Sequence, residues 1–157
     1  MLDAAEQKLV DDVARHGWQV MRVSPATGEA QEPSFAYTIG LQETFGWPEL
    51  LCYGLNADVM TVLLNNATDE LRERSELPSA GLVLHEIAEG FDCKLSPVAS
   101  RHNVEHLGFA IWFARYRGEN PAKVECLQLL WPDRHGRFPD QSDCSPEVRE
   151  LQPLLSS

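Results

Sequence analysis

The feature that most constrains the fold is the weakly charged run from residue 35 to residue 55, FAYTIGLQETFGWPELLCYGL. Bulky residues alternate with small ones over residues 35–41, and alternate side chains of a strand point to opposite faces of its sheet. We expect the bulky face to cover a core and the small face to admit either a helix or a ligand. Residues 50–55 are apolar on both faces, which is typical of a central strand buried on two sides.

The segment between these two predicted strands, residues 42–49, is eight residues long and contains Gly46, Trp47 and Pro48. Eight residues is long for a hairpin loop, and an aromatic residue beside proline is unusual at a loop tip. The two strands are therefore interpreted as scaffold, and the loop between them as a candidate site.

Helices and strands alternate irregularly along the chain, and the strands cluster in hairpins. Helical periodicity falls at residues 3–16, 57–74 and from 100 or 103 to 117, with one turn at 147–151, and further strand patterns fall at 18–23, 82–87, 91–98 and 123–131. We predict an α+β fold with a mixed, mostly antiparallel sheet of about five or six strands and about three helices. The length predicts a single globular domain over residues 1–157, with its core at about residues 8–155.

The net charge of −11 limits the classes of partner. Acidic residues are spread evenly, with 12 in residues 1–74 and 12 in residues 75–157. No stripe of Lys or Arg supplies the positive footprint that nucleic acid requires, and an anionic membrane is disfavoured for the same reason. We predict no nucleic acid and no membrane as partner. A basic protein or a small molecule stays open, as does the oligomeric state.

The four cysteines are expected to be reduced. They form no C-x-x-C pair, which argues against a zinc ribbon or a thioredoxin-like site, and three of them lie in apolar strand-like runs. The N-terminus does not have the pattern of a secretory signal, and no apolar run approaches the roughly 20 residues that span a bilayer. We predict four free thiols, Cys52, Cys93, Cys126 and Cys144, and a cytoplasmic location.

Familiar catalytic and metal motifs fail on spacing. His85 begins a sequence like the helical zinc motif H-E-x-x-H, but the fifth position is Glu89. His102 and His106 are four residues apart on a predicted helix, which can present two metal ligands, and we interpret them as part of a solvated first turn. The sequence therefore predicts no metal site and no cofactor.

A Trp-Pro-acid triplet occurs twice, at residues 47–49 before one apolar strand and at residues 131–133 after another. If these two strands are antiparallel neighbours, the end of one lies beside the start of the other. The two triplets would then meet at one edge of the sheet, and Glu49 would approach Asp133. A carboxylate pair with His135 nearby has the composition needed for acid–base chemistry or for holding a divalent cation.

The candidate residues follow from this arrangement. The candidate catalytic residues are Glu49, Asp133 and His135, and the candidate ligand-binding residues are Tyr37, Thr38, Trp47, Trp131 and Arg137. A structural interpretation competes with both sets. Residues 133–136, DRHG, have the composition of a tight turn in which Asp accepts backbone N–H bonds and Gly takes a positive φ.

Four motifs together resemble the bacterial domain-of-unknown-function family 4262. They are FAYTIGL at 35–41, GWPEL at 46–50, LQLLWPD at 127–133 and GRFP at 136–139. The resemblance covers about residues 8–155 and includes the helix that ends in Gly17-Trp18, but Trp47 stands where histidine is common in the family. Because the family has no assigned activity, the resemblance implies a bacterial cytoplasmic domain and no particular chemistry.

Two functions of different classes remain. The first is a non-catalytic module that binds a small ligand or a protein through the loops carrying Trp47 and residues 131–138. The alternative is a hydrolase-type enzyme, metal-assisted in one version, that uses Glu49, Asp133 and His135. Side chains within about 4 Å of one another favour the enzyme, because charges at that range perturb each other's pKa values. Side chains splayed to solvent around an apolar patch favour the binding module.

Overall fold

The computed structural model describes residues 1–24 and 33–157. Six strands form one sheet in the order β1-β2-β3-β6-β5-β4. The strands are β1 (Gln19–Val23), β2 (Phe35–Ile39), β3 (Glu49–Tyr53), β4 (Val83–Ala88), β5 (Phe91–Pro97) and β6 (Cys126–Leu130). The helices are α1 (Ala4–His16), α2 (Leu41–Phe45), α3 (Ala57–Arg74), α4 (Asn103–His106), α5 (Gly108–Tyr116) and α6 (Pro146–Leu151).

The α+β class and the mixed, mostly antiparallel sheet are confirmed. Four of the five strand pairings are antiparallel, and the pairing of β3 with β6 is parallel, with Glu49 opposite Cys126 and Leu51 opposite Gln128. The three longest helices, α1, α3 and α5, correspond to the three that the periodicity predicts. The short helix α2 replaces the expected loop between β2 and β3, and five residues are too few for a helical period to show.

Helices cover both faces of the sheet, because each face of the central strands carries apolar side chains. On one face, Ala36 of β2 shares a buried cluster with Met60 and Leu64 of α3. On the other face, Ile39 shares a second cluster with side chains of α1 and α5, including Leu9 and Phe113. The small face of β2 therefore admits a helix. No helix in the described part of the chain is long and apolar enough to cross a membrane.

The helix predicted over residues 100–117 is interrupted at Leu107, whose side chain is fully buried. Leu107 has φ −113° and ψ 39°, which is outside the helical range, so α4 ends and α5 begins there. The start of α5 has no side-chain cap of its own. The hydroxyl of Tyr37 in β2 instead accepts the N–H of Phe109 at 3.1 Å, which satisfies one of the free donors in the first turn of the helix.

The segment after α6 is attached to the middle of the sheet by Gln128, a fully buried residue of β6. Its amide donates to the carbonyl of Pro153 at 2.9 Å, and its side-chain oxygen accepts the N–H of Leu155 at 3.2 Å. Gln152 makes two further bonds, one in each direction, with the backbone of Trp131. A buried amide is stable only with such partners, so this contact fixes the path of residues 152–155.

Gly40 makes the turn from β2 into α2 and has φ +112°. A Cβ there would lie 2.8 Å from the carbonyl oxygen of Gly17 and 3.0 Å from the side chain of Val13. Gly46, at the other end of α2, also has a positive φ of 73°, but a Cβ there would meet nothing within 4 Å.

We predict that Gly40→Ala lowers the free energy of unfolding much more than Gly46→Ala. Alanine in the left-handed region costs roughly 1–2 kcal/mol at either position. Overpacking adds about 1–3 kcal/mol at Gly40 alone. Denaturant unfolding of both variants measures the difference, and equal losses would contradict the close approach of α1 to this turn.

Candidate functional site

The parallel pairing of β3 with β6 separates the two Trp-Pro-acid triplets. Glu49 begins β3, whereas Asp133 follows the end of β6, and in a parallel pair the start of one strand and the end of the other lie at opposite edges of the sheet. The indole N–H of Trp131 donates to the carbonyl of Tyr53 at 2.7 Å, which attaches the second triplet to the far end of β3. With a rise of about 3.3 Å per residue, β3 alone separates them by about 13 Å. The expected convergence of Glu49 and Asp133 is therefore wrong, because it required an antiparallel pair.

Glu49 is buried and holds the turn between β2 and α2 together. One carboxylate oxygen accepts the hydroxyl of Thr38 at 2.9 Å and the N–H of Leu41 at 3.2 Å. The other accepts the N–H groups of Gly40 at 3.2 Å and Gln42 at 3.3 Å. The carboxylate thus supplies the cap that α2 lacks from its own N-cap residue.

The protonation of Glu49 is shifted by its surroundings. Burial raises the pKa of Glu49 to about 8, since the charged form loses its hydration. The hydrogen bond from Thr38 acts in the opposite direction, and the negative charge of Glu43 raises the pKa further. Glu49 is therefore a buried carboxyl group, and both of its oxygens accept hydrogen bonds from the turn that it stabilises.

Asp133 organises the loop that follows β6. Its Oδ1 accepts the N–H groups of His135 at 2.8 Å and Arg137 at 3.0 Å, and its Oδ2 accepts the N–H of Ser145 at 2.9 Å. The N–H of Gly136, which has φ +78°, donates to the Asp133 carbonyl at 3.0 Å. The backbone bond from Arg137 lowers the pKa of Asp133. Residues 133–136 therefore form the tight turn that their composition predicts.

The other candidate residues at the Glu49 end lie within the packed interior. Tyr37 is 1% exposed, and burial raises the pKa of its hydroxyl to about 12. Thr38 is on the opposite face of β2, fully buried, where its hydroxyl also accepts the N–H of Leu50 at 2.9 Å. Trp47 is 9% exposed and stacks on Phe45 with ring centroids 4.4 Å apart.

The candidate residues at the other end share one loop. The ring of His135 is exposed, and Arg137 forms an ion pair with Asp143, with 3.4 Å between Nε and Oδ2. Trp131 is partly buried at the base of the loop. The structure thus brings together Trp131, Asp133, His135 and Arg137, and places Tyr37, Thr38, Trp47 and Glu49 elsewhere.

Two clefts border this loop. The first, of about 660 Å³, lies between the loop and the β4–β5 hairpin and is lined by Phe91, Asp92 and Phe138, among others. The second, of about 500 Å³, lies between the loop and the start of α6, with Trp131 and Glu147 in its wall. Both clefts share the segment 132–134.

Arg134 projects between the two clefts, and sequence reasoning missed it. It is exposed, and among residues 1–24 and 33–157 it has no hydrogen-bond or ion-pair partner. The pKa of Glu147 is lowered, mainly by the hydrogen bond from the Ser145 hydroxyl. The positive charge of Arg134 contributes to this lowering. The turn composition of residues 133–136 could have indicated Arg134. Asp133 and Gly136 form the turn, so the side chains between them must project outward.

His106 is engaged on both ring nitrogens, which the sequence did not indicate. Its Nδ1 lies 3.0 Å from the carbonyl oxygen of His102, so Nδ1 carries the hydrogen. The Tyr53 hydroxyl, 2.7 Å from Nε2, then donates to that nitrogen. The interpretation as a solvated first turn is wrong for His106. No group of three or more metal-ligating side chains suited to a metal ion occurs in the described part of the chain.

The raised pKa of Glu49 predicts how stability depends on pH. The native state binds this proton more tightly than the unfolded state, so the contribution is complete below about 4.5 and is lost as the pH rises through about 8. We expect the free energy of unfolding to fall across this range by at most about 1.4 kcal/mol per pH unit. Chemical denaturation at several pH values measures the slope.

Glu49→Gln should remove that slope, whereas Glu125→Gln, a change at an exposed glutamate, should keep it. Parallel pH profiles for wild type and Glu49→Gln would show that Glu49 does not titrate in this way.

Removing the Asp133 carboxylate should release its loop. We expect Asp133→Ala to increase amide hydrogen exchange at His135, Arg137 and Ser145, because their N–H groups lose their acceptor. Asp143→Ala is the matched control, since it removes only the ion pair with Arg137 and leaves the Asp143 carbonyl that also accepts from the Arg137 side chain. Unchanged protection in Asp133→Ala would contradict the organising role.

As the pKa of Asp133 is lowered, acidification should weaken the loop only as the pH falls below about 3.8.

The comparison with protein families gives one result for this chain. A family model described as "Domain of unknown function (DUF4262)" matches residues 12–145 and covers both the Glu49 turn and the Asp133 loop. No curated protein and no solved structure matches the chain. Because the match extends over most of the sequence, the chain belongs to the DUF4262 family.

Proposed function

We propose that this chain is a bacterial, cytoplasmic, non-catalytic binding module that takes a small anionic molecule at the loop of residues 131–138. The observation that carries the proposal is the guanidinium of Arg134, exposed without an ion-pair partner in the described structure between two adjoining clefts. A guanidinium offers a planar fork of donors that matches a carboxylate or a phosphate.

The acidic groups beside Arg134 already have partners. The Asp133 carboxylate is turned toward three backbone N–H groups, and Asp92 lies 3.0 Å from Nδ1 of His85. A ligand anion can therefore approach Arg134 without displacing an existing ion pair. We expect an anionic small molecule rather than a basic protein at this position, because the positive charge of Arg134 itself repels a cation.

Aromatic side chains supply the apolar part of the first cleft. Phe91 is 38% exposed on the hairpin side, and Phe138 faces it from the loop side. The Lys94 ammonium lies 4.9 Å from the centre of the Phe138 ring and is paired with Asp140 at 2.7 Å. These contacts hold one wall in place before a ligand arrives, which reduces the entropic cost of binding.

The hydrolase alternative has less support. Its three residues lie at two ends of the sheet, and both carboxylates hold backbone N–H groups. The cytoplasmic location is supported by the cysteines: Cys52, Cys93, Cys126 and Cys144 are free thiols and all are buried.

The test is a ligand-observed NMR titration with phenyl phosphate and benzoate, and with neutral benzamide for comparison. We expect the two anions to bind more tightly than benzamide. Arg134→Ala should weaken them about tenfold or more, since a charge-assisted hydrogen bond contributes about 1.5–3 kcal/mol. Arg149→Ala, a change at an exposed arginine of α6, is the control and should bind as wild type does. Equal affinity of Arg134→Ala and wild type, or no binding of either anion, would reject an anion site here.

A further inference from the structure

A third cleft, of about 240 Å³, lies between α1, α2 and α5. It borders α2 and therefore lies near the start of β3, away from the loop of residues 131–138. Val10, Val13 and Phe113 give it apolar walls, and Tyr116 is half exposed at its edge. Its ionisable side chains are Glu43 and Arg117.

Glu43 is the unusual member of this lining. Its Oε1 is shielded from water and has no hydrogen-bond partner in the described structure. Buried polar atoms nearly always have a partner, and an unpaired one costs roughly 1–3 kcal/mol, more if it is charged. Burial raises the pKa of Glu43, and a hydrogen bond from its own backbone N–H lowers it. The nearby charge of Glu119 raises the pKa, and that of Arg117 lowers it.

The side chains nearest Glu43 do not satisfy it. The Thr44 hydroxyl donates to the carbonyl of Gly17 at 2.6 Å and is therefore already used. Arg117 lines the same cleft but forms no ion pair with Glu43 within 4.0 Å. The terminal torsion of a glutamate is broad and roughly two-fold, so a small rotation can turn either oxygen toward the cleft.

We propose that this cleft binds a small organic cation, with its ammonium group on the Glu43 carboxylate and its apolar body against Val13 and Phe113. The ammonium would supply the donor that Glu43 lacks, and the exposed ring of Tyr116 adds a face that attracts cations. The volume lies below the roughly 300–1,000 Å³ of sites for drug-sized ligands, which suits one ring or one lysine side chain.

The charges that face Glu43 support a cation over an anion. The negative charge of Glu119 acts on Glu43, and Arg117 is the positive group opposing it, whereas Glu49, whose pKa is raised to about 8, is mostly uncharged at neutral pH. Arg117 forms no ion pair with Glu43, but its positive charge repels an entering ammonium group. Removal of that charge should favour the ammonium group, which makes Arg117 a useful variant.

The experiment is an NMR titration of ¹⁵N-labelled protein with benzylammonium, and with benzyl alcohol as a neutral ligand of similar shape. We expect benzylammonium to shift the amide signals of Glu43, Thr44 and Tyr116 and to bind at least tenfold more tightly than benzyl alcohol. Glu43→Gln should reduce the affinity at least tenfold. Arg117→Gln should increase it severalfold, and Glu105→Gln, at an exposed residue of α4, should leave it unchanged.

The source of the cation is resolved by a second ligand, Nα-acetyl-lysine N-methylamide. Tighter binding of this compound than of benzylammonium assigns the cleft to a lysine of a partner protein, and the reverse assigns it to a free amine. Arg134→Ala should not affect either ligand, so this result is independent of the anion site.

Two results would overturn the proposal. One is equal binding of benzyl alcohol and benzylammonium, and the other is a Glu43→Gln variant that binds benzylammonium as wild type does. Loss of folding is not expected to obscure the outcome, because Glu43→Gln removes a carboxyl group whose charged form is disfavoured by burial. A thermal melting midpoint at or above that of wild type checks this.

Discussion

The parallel pairing of β3 with β6 is the constraint on which the arrangement of this molecule depends. Both strands are buried along their whole length, so they occupy the centre of the sheet with helices on either side. Because they are parallel, their starts share one edge and their ends the other. Polar groups that flank the strands are thereby divided between two remote corners, one with Glu49 and one with Asp133.

The two acidic residues act in similar ways at these corners. Each carboxylate accepts hydrogen bonds from several backbone N–H groups of a turn. These N–H groups have no carbonyl partner in a strand or a helix, and the carboxylate takes the place of that partner. A buried donor without an acceptor is costly, so a conformationally irregular corner requires such a group. The difference is solvation: the pKa of Glu49 is raised by burial, whereas that of Asp133 is lowered by its donors. Arg134 and Oε1 of Glu43, which have no hydrogen-bond partner among residues 1–24 and 33–157, are neighbours of these acceptors.

Much of the fold could be predicted from the sequence, because the apolar periods of α1, α3 and the strands follow from local geometry. The alternation in residues 35–41 correctly indicated two faces, but it could not decide whether the small face met a helix or a ligand. The break at Leu107 was hidden, because the residues on both sides of it have helical periodicity and the group that caps the start of α5 is Tyr37, seventy-two positions before Phe109. The site could not be predicted because strand direction is set by the route of the chain. The composition of the two triplets is the same whether β3 and β6 are parallel or antiparallel.

The attachment of residues 152–155 to Gln128 has a consequence for biosynthesis. The sheet receives its central strand last, since β6 is inserted between β3 and β5 after both have been synthesised. Until residues 126–130 have left the ribosome, β3 and β5 each present an unpaired inner edge, and until residues 153–155 follow, the side chain of Gln128 lacks both of its hydrogen-bond partners. Unpaired edges are prone to association with other chains. A chain that lacks β6 therefore exposes two strand edges that the complete sheet pairs.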